Sequence, residues 1–175
     1  MIYLDYSATT PANKEVVDAF SKVSLNYIGN PNSLHKLGVE ARKLMDASTN
    51  QIAELLHVKP SEVIFTSGAS EANNTAIMGV VEKYPNRGKH IITTKLEHSS
   101  VLECMNYLEK IGYIIDYVPI LENGLIDLDV FTKMIRKDTV LVSIHHVNSE
   151  VGIKQNVEEI GKILKNFPIV IFHVN

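Results

Sequence analysis

The sequence predicts an α/β layer structure, three layers deep, with helices on both faces of a mainly parallel sheet. Three observations support this. Strand-like and helical stretches alternate along most of the chain. At residues 63–74 an apolar run turns through small residues directly into a helical pattern. Polar groups then recur just beyond the carboxyl ends of the strand-like runs, where ligands gather in such sheets.

After a short N-terminal segment, helical patterns cover residues 14–23 and 34–57. Val63-Ile64-Phe65 reads as a buried strand, followed by a helix over residues 70–83. Ala72, Ala76, Ile77 and Val80 give that helix one inward face. Strands are expected at residues 90–94, 113–119, 140–147 and 169–174, and further helices at 99–111, 128–136 and 157–165. Asp127 is placed to cap the helix at 128, and Asn156 with Glu159 has the spacing of a capping box. The weakest points for a boundary are residues 27–32 and 85–88.

The turn at Gly68-Ala69-Ser70 carries the first chemical suggestion. Its backbone N–H groups lack intrahelical partners and stand at the positive end of a helix dipole, and Ser70 can add a hydroxyl donor. A phosphate-bearing ligand fits, and so does an ordinary strand-to-helix turn capped by Ser70. Two further polar groups fall at strand ends: Glu97-His98-Ser99-Ser100, and His146-Val147-Asn148-Ser149-Glu150. A fourth strand runs into His173-Val174-Asn175.

Composition narrows the class. The 175 residues are 45% hydrophobic with a net charge of -3, which suits a sizeable core and offers no basic face for nucleic acid. No apolar run approaches a membrane span, no signal peptide is apparent, and the single cysteine, Cys104, cannot form an internal disulfide. A reducing cytoplasm is the expected compartment. Cys104 lies among Val101, Leu102, Met105 and Leu108, where a thiol behaves as a small hydrophobe. His145 and His146 are adjacent on a strand and point to opposite faces, so they cannot chelate one metal, and no metal site is expected.

Six motifs, in order and register, resemble one known family. They are residues 3–11, Gly29-Asn30-Pro31-Asn32-Ser33-Leu34-His35, residues 65–74, Glu97-His98-Ser99-Ser100-Val101, residues 147–152 and Phe172-His173-Val174. Together they resemble the cysteine desulfurases of the class V aminotransferase group, pyridoxal-phosphate enzymes that move sulfur from L-cysteine to a protein cysteine for iron–sulfur assembly. The resemblance spans the whole chain but only the first half of such an enzyme. It implies an incomplete large domain over residues 14–175, with residues 1–13 contributing to the small domain or active site. It also implies a homodimer or a complementing C-terminal half, and a sulfur-acceptor protein as partner.

By position, the resemblance gives Ala69 and Ser70, with Gly68, the cofactor phosphate. It gives His98 the pyridine ring face and proton movement at the reacting carbon, tasks that suit an imidazole. Read without the resemblance, His98 is a helix-start histidine facing solvent. Two positions depart from the family pattern. Ser149 stands where the family has an Asn on the phenolic oxygen, a reach that serine covers only through water or a shifted loop. Asn175 stands where the family has an Asp that keeps the pyridine nitrogen protonated, a loss expected to cut catalysis severely.

The family's Schiff-base lysine and persulfide cysteine fall beyond residue 175, so these residues alone are expected to be inactive and to hold the cofactor weakly or not at all. Ser33-Leu34-His35-Lys36 imitates the lysine motif, but its place at the start of the long helix marks Lys36 as a solvated lysine. In the family's sheet the strand matching residues 63–65 lies beside strands that come later, which leaves it here without a neighbour and the chain prone to associate. Two other classes stay open. One is a degenerate, non-catalytic binding and dimerisation module. The other is a hydrolase with Ser70 on a Gly-x-Ser-x-Gly-like elbow, whose second glycine is Ala72.

Overall fold

The computed structural model describes residues 2–175. The chain divides into two units, Met1–Phe65 and Thr66–Asn175. The division falls at neither boundary expected from the sequence. Residues 27–32 are held tightly: a Cβ on Gly29 would collide with the Leu37 carbonyl, and Arg42 donates to the Pro31 carbonyl and the Asn32 side chain. Gly88, at the other expected boundary, has a φ of +144° and presses against the backbone of Asp138, where a Cβ would not fit. Composition advertises flexibility at both places, whereas packing uses the small residues for close approach.

The first unit carries α1 (Lys14–Asn26), α2 (Lys36–Leu56) and a 3₁₀ turn at Pro60–Glu62. Asn13 caps α1 by accepting from the Glu15 N–H, and His35 caps α2 through Nδ1, which accepts from the Gly38 N–H. α2 ends at His57, whose left-handed φ of 54° is the non-glycine exception in the chain among the described residues. Lys36 is exposed on the first turn of α2, 3.9 Å from Glu40, as a solvated helix lysine should be.

Residues 63–65 form no strand. Ile64 and Phe65 are 75% and 59% exposed, and the four-stranded sheet contains no place for them. The residues read as a buried strand, while the family resemblance implied a run left without a neighbour here; no described strand pairs with it, so β-propensity alone does not make it part of the sheet.

The second unit is α3 (Ala69–Lys83), β1 (His90–Thr93), α4 (Ser99–Lys110), β2 (Ile114–Tyr117), α5 (Leu128–Met134), β3 (Thr139–Ile144), α6 (Val157–Leu164) and β4 (Ile171–Val174). The sheet is parallel throughout in the order β2-β1-β3-β4. Strand alternation sends neighbouring residues to opposite layers. Ile91, Ile115 and Leu141 pack with Ile77, Val101, Met105 and Leu108 of α3 and α4. Ile92, Val142 and Ile144 pack with Phe131, Ile160 and Leu164 of α5 and α6. β3 is buried along its whole length, as a central parallel strand covered on both faces must be.

The inward face of α3 differs in part from the expected one. Asn73, Ile77 and Val81 are buried, while Ala76 is exposed. A polar Asn takes the first inward position because it has a partner there, the Ser100 hydroxyl at 2.9 Å. Asp127 caps α5 as expected, accepting from the Val130 N–H. Only half of the expected capping box forms on α6: Asn156 accepts from the Glu159 N–H, but the Glu159 carboxylate turns to Lys162 instead.

Candidate functional site

The strand order creates a natural crevice. From β1 the chain moves outward to β2, then crosses back to place β3 on the other side of β1. The loops after β1 and β3 therefore part from one another at the carboxyl edge, the switch point where α/β sheets bind ligands. A cavity of about 610 Å³ lies there. The β1 loop lines it with Leu96, Glu97, His98 and Ser99, the β3 loop with His145, Asn148 and Ser149, and β4 with Asn175. Of the residues singled out from sequence, His98, Ser149 and Asn175 are thus brought together.

Gly68, Ala69 and Ser70 do not line this cavity, yet a short chain of contacts ties their helix to it. Asn73, one turn into α3, donates to the Ser100 hydroxyl, and Ser100 lies 2.9 Å from His98 Nδ1. α3 begins at Ala69 with Gly68 as its cap residue, and no side chain caps it. The expected Ser70 cap is absent because Ser70 already lies inside the first turn, past the cap position. The N–H groups of Ala69 and Ser70 have no protein acceptor among the described residues, and a Cβ on Gly68 would meet nothing within 4 Å. The Glu71 carboxylate turns back to accept from the Ser67 N–H and hydroxyl, which hold its pKa below the usual range.

His98 caps α4. Its Nδ1 accepts from the Ser100 N–H at 3.1 Å, so in the neutral ring the proton sits on Nε2. The ring itself is exposed and forms part of the cavity wall. Capping and cavity lining are thus served by one side chain, with different nitrogens.

Behind this wall lies a polar cluster centred on Glu97, whose side chain is fully buried. Oε1 accepts from the Thr94 hydroxyl at 2.8 Å, the His145 N–H at 3.1 Å and the His145 Nδ1–H at 3.0 Å. Oε2 accepts from Asn175 Nδ2 at 2.8 Å. With its Nδ1 committed to Glu97, His145 has a buried Nε2 with no partner. His145 and His146 line different cavities, in keeping with opposite directions along the chain. On the same layer as Asn175, His173 lies 2.9 Å from the Ser143 hydroxyl, and burial pushes its pKa down further than the negative charge of Glu97 raises it.

Three of these residues had no assigned task from sequence. Glu97 reaches partners 48 and 78 positions away, His145 and Asn175, so nothing local marks it as buried. Asn148 donates to the Leu96 carbonyl and its Oδ1 accepts from the Glu150 and Val151 N–H groups, pinning the β3 loop to the β1 loop. Asn73 lay outside the inward face expected of α3, which was drawn from apolar residues alone. Cys104 is buried on α4, where burial and the nearby Glu103 push its thiol up, the direction of an inert structural cysteine.

The residues suit a phosphorylated small molecule. The cavity has the volume of a small-molecule site, the free N–H groups at α3 suit a phosphate, and the orphaned His145 nitrogen marks a polar interior that protein alone does not satisfy. Among the described residues no helix is long and apolar enough to cross a membrane.

Comparison with known proteins agrees with this geometry. Residues 2–175 match the family model described as aminotransferase class-V. The chain is 44% identical over 174 residues to a cysteine desulfurase IscS of Dictyoglomus turgidum, covering 99% of this chain and 44% of the relative. It is 47% identical over 177 residues to that of Colwellia psychrerythraea, with the same coverage. Among solved structures, a NifS-like protein superposes with a TM-score of 0.96 at 38% identity, covering 99% of this chain and 48% of the other. A structure described as SspA in complex with cysteine gives 0.92 at 36% identity, covering 98% and 49%. The chain therefore spans about half the length of the relatives it matches.

Proposed function

Because the chain belongs to the class V aminotransferase family, we propose that it is the pyridoxal-phosphate-holding half of a cysteine desulfurase. The observation that carries this is the cavity at the β1/β3 switch point, lined by His98, Ser149 and Asn175 and tied through Ser100 and Asn73 to the open N-terminus of α3. When bound, the cofactor would supply an electron sink for bonds at the α-carbon of an amino acid. The remaining work belongs to this chain's residues.

The N–H groups of Ala69 and Ser70, with the Ser70 hydroxyl, hold the phosphate. The exposed ring of His98 covers one face of the pyridine, with Nε2 available to pass a proton. Asn175 would face the ring nitrogen, and Ser149 would reach the phenolic oxygen through a water. L-Cysteine is the substrate, its sulfur passes to a protein cysteine, and alanine is released. Lys95 lines the cavity but is exposed, with its Nζ 5.8 Å from the Tyr117 ring centroid, and Lys36 is solvated on α2, so neither is assigned as the lysine that binds the aldehyde. The activity therefore requires a second half, supplied by the same or another chain.

Absorbance titration with pyridoxal phosphate tests this. Weak binding is expected, and borohydride reduction with peptide mapping should find no specific pyridoxyl-lysine. Stoichiometric labelling of Lys36 would overturn the assignment. So would sulfide release from L-cysteine by the chain alone, if it were lost on His98→Ala.

A second reading is favoured by Ser149 and Asn175, since a half-length match accounts for missing residues but not for replaced ones. It is a non-catalytic relative that keeps the fold and contacts sulfur-relay partners. Absence of cofactor absorbance in the purified protein would favour it.

A further inference from the structure

We infer that Glu97 is a positioning residue that fixes the Asn175 amide with its carbonyl oxygen toward the cavity, so that the pair presents a neutral acceptor to a ring N–H. The inference rests on the cofactor reading for its ligand, but not for its geometry.

The argument begins with the carboxylate. Glu97 is fully buried, and all its described partners are donors: the Thr94 hydroxyl and two N–H groups of His145 on Oε1, and Asn175 Nδ2 on Oε2. An ionised carboxylate accepts only. If the Asn175 amide turned over, its Oδ1 would face the buried Oε2, and two acceptors would meet without a proton between them. The NH₂ group must therefore point at Glu97. Oδ1 is forced the other way, and it accepts no hydrogen bond among the described residues.

Strand register gives the direction. Ile171 packs in the α3/α4 layer and His173 pairs with Ser143 on that same side. Asn175, two residues further, continues the alternation and lines the cavity. The main chain holds it there, since the His146 N–H donates to the Asn175 carbonyl at 2.7 Å. A hydrogen bond to a carboxylate also polarises the amide and makes its oxygen a better acceptor.

The consequence concerns ligand selection. A ring nitrogen carrying a proton finds an acceptor; a bare ring nitrogen meets a second lone pair and loses its water. Negative charge is present, but one group back from the ring. The amide at residue 175, read from sequence as the loss of a carboxylate, is part of a two-residue arrangement whose carboxylate is Glu97.

Two measurements decide this. The first needs no ligand and no variant: NMR of the labelled chain should show scalar coupling between Asn175 Nδ2 and the Glu97 side-chain carboxyl carbon. The second compares pyridoxal phosphate with its analogue carrying carbon in place of the ring nitrogen. The wild type should prefer the nitrogen ring by roughly tenfold, the scale of one well-made hydrogen bond to a charged partner. Glu97→Gln, which can donate to Oδ1 and turn the amide over, should abolish the preference. Asn175→Ala, an exposed position that should fold in any case, should abolish it too.

Absent coupling overturns the inference, as does equal binding of the two ligands by the wild type. If neither ligand binds while the coupling is present, the cofactor reading falls and the orientation stands.

Discussion

The two units of this chain spend their apolar residues differently. In Thr66–Asn175 large side chains are packed on both faces of the sheet, with Phe131, Ile91, Ile92, Leu141 and Ile160 wholly buried. In Met1–Phe65 only Gly38, Ala41 and Ala53 of the helices are buried, and α1 buries nothing. Phe20 and Leu25 are more than 70% exposed. The difference teaches where stability resides. The second unit closes its own core and shapes the cavity, whereas the first has helices with good local caps but little burial to hold them. Short helices gain most of their stability from packing rather than propensity.

The largest effect that could break this comparison is a matched pair of truncations. Phe131→Ala should cost about 3–5 kcal/mol, the range for emptying a wholly buried aromatic site. Phe20→Ala should stay within about 0.5 kcal/mol, as exposed substitutions do. Urea unfolding of both variants gives the two numbers. A large cost at Phe20 would mean that α1 is covered in solution, by a second copy or a complementing half.

Thr139→Val should come next, at about 1–3 kcal/mol. His90 Nε2–H donates to Asp116, so its Nδ1 must accept from the Thr139 hydroxyl, and the Thr139 oxygen in turn accepts from the Arg136 N–H. Valine keeps the shape and leaves the buried His90 Nδ1 and the half-buried Arg136 N–H unpaired. Thr49→Val on exposed α2, where the hydroxyl bonds only its own helix, should cost little by the same urea measurement.

A pH series sharpens the contrast through histidines of the second unit. Burial holds His90 and His173 below their usual pKa of 6.5. Below that value the unfolded chain binds protons that the folded chain refuses, so stability falls as pH drops from about 6.5 toward the folded pKa values. Above it their contribution is complete. Urea midpoints taken between pH 8 and pH 5 should therefore decline. His90→Gln should reduce the slope, and an unchanged slope would remove His90 from the account.

The smallest effect belongs to the first unit. His57 ends α2 in a left-handed conformation that glycine adopts without strain, so His57→Gly should stabilise that helix end by about 0.5–1 kcal/mol. Slower amide exchange in the last turn of α2 would show it.

Much of this was legible in the sequence because the signals were local. The cap at Asp127, the inert face around Cys104 and the polar strand ends all follow from neighbours a few positions apart. What was illegible depends on distant partners. Val63-Ile64-Phe65 has the composition of a buried strand, and nothing in the residues themselves shows that it stands exposed; only the family resemblance implied that it lacks a neighbour. Asn73 was not expected on the inward face of α3, because the Ser100 hydroxyl that satisfies it lies 27 residues away. Ser149 and Asn175 were visible as departures from a family pattern, but the Glu97 carboxylate behind Asn175 was not, since 78 residues separate them.

Hydrogen exchange along the whole chain, with and without pyridoxal phosphate, tests most directly the claim that the second unit is self-supporting and holds the ligand. Amides of β1 and β3 should exchange slowest, those of residues 63–65 and α1 fastest. Added pyridoxal phosphate should slow exchange at residues 66–74, 96–100 and 145–149 and leave α1 unchanged. Strong protection of residues 63–65 in a monomer, or ligand protection confined to the first unit, would contradict the account.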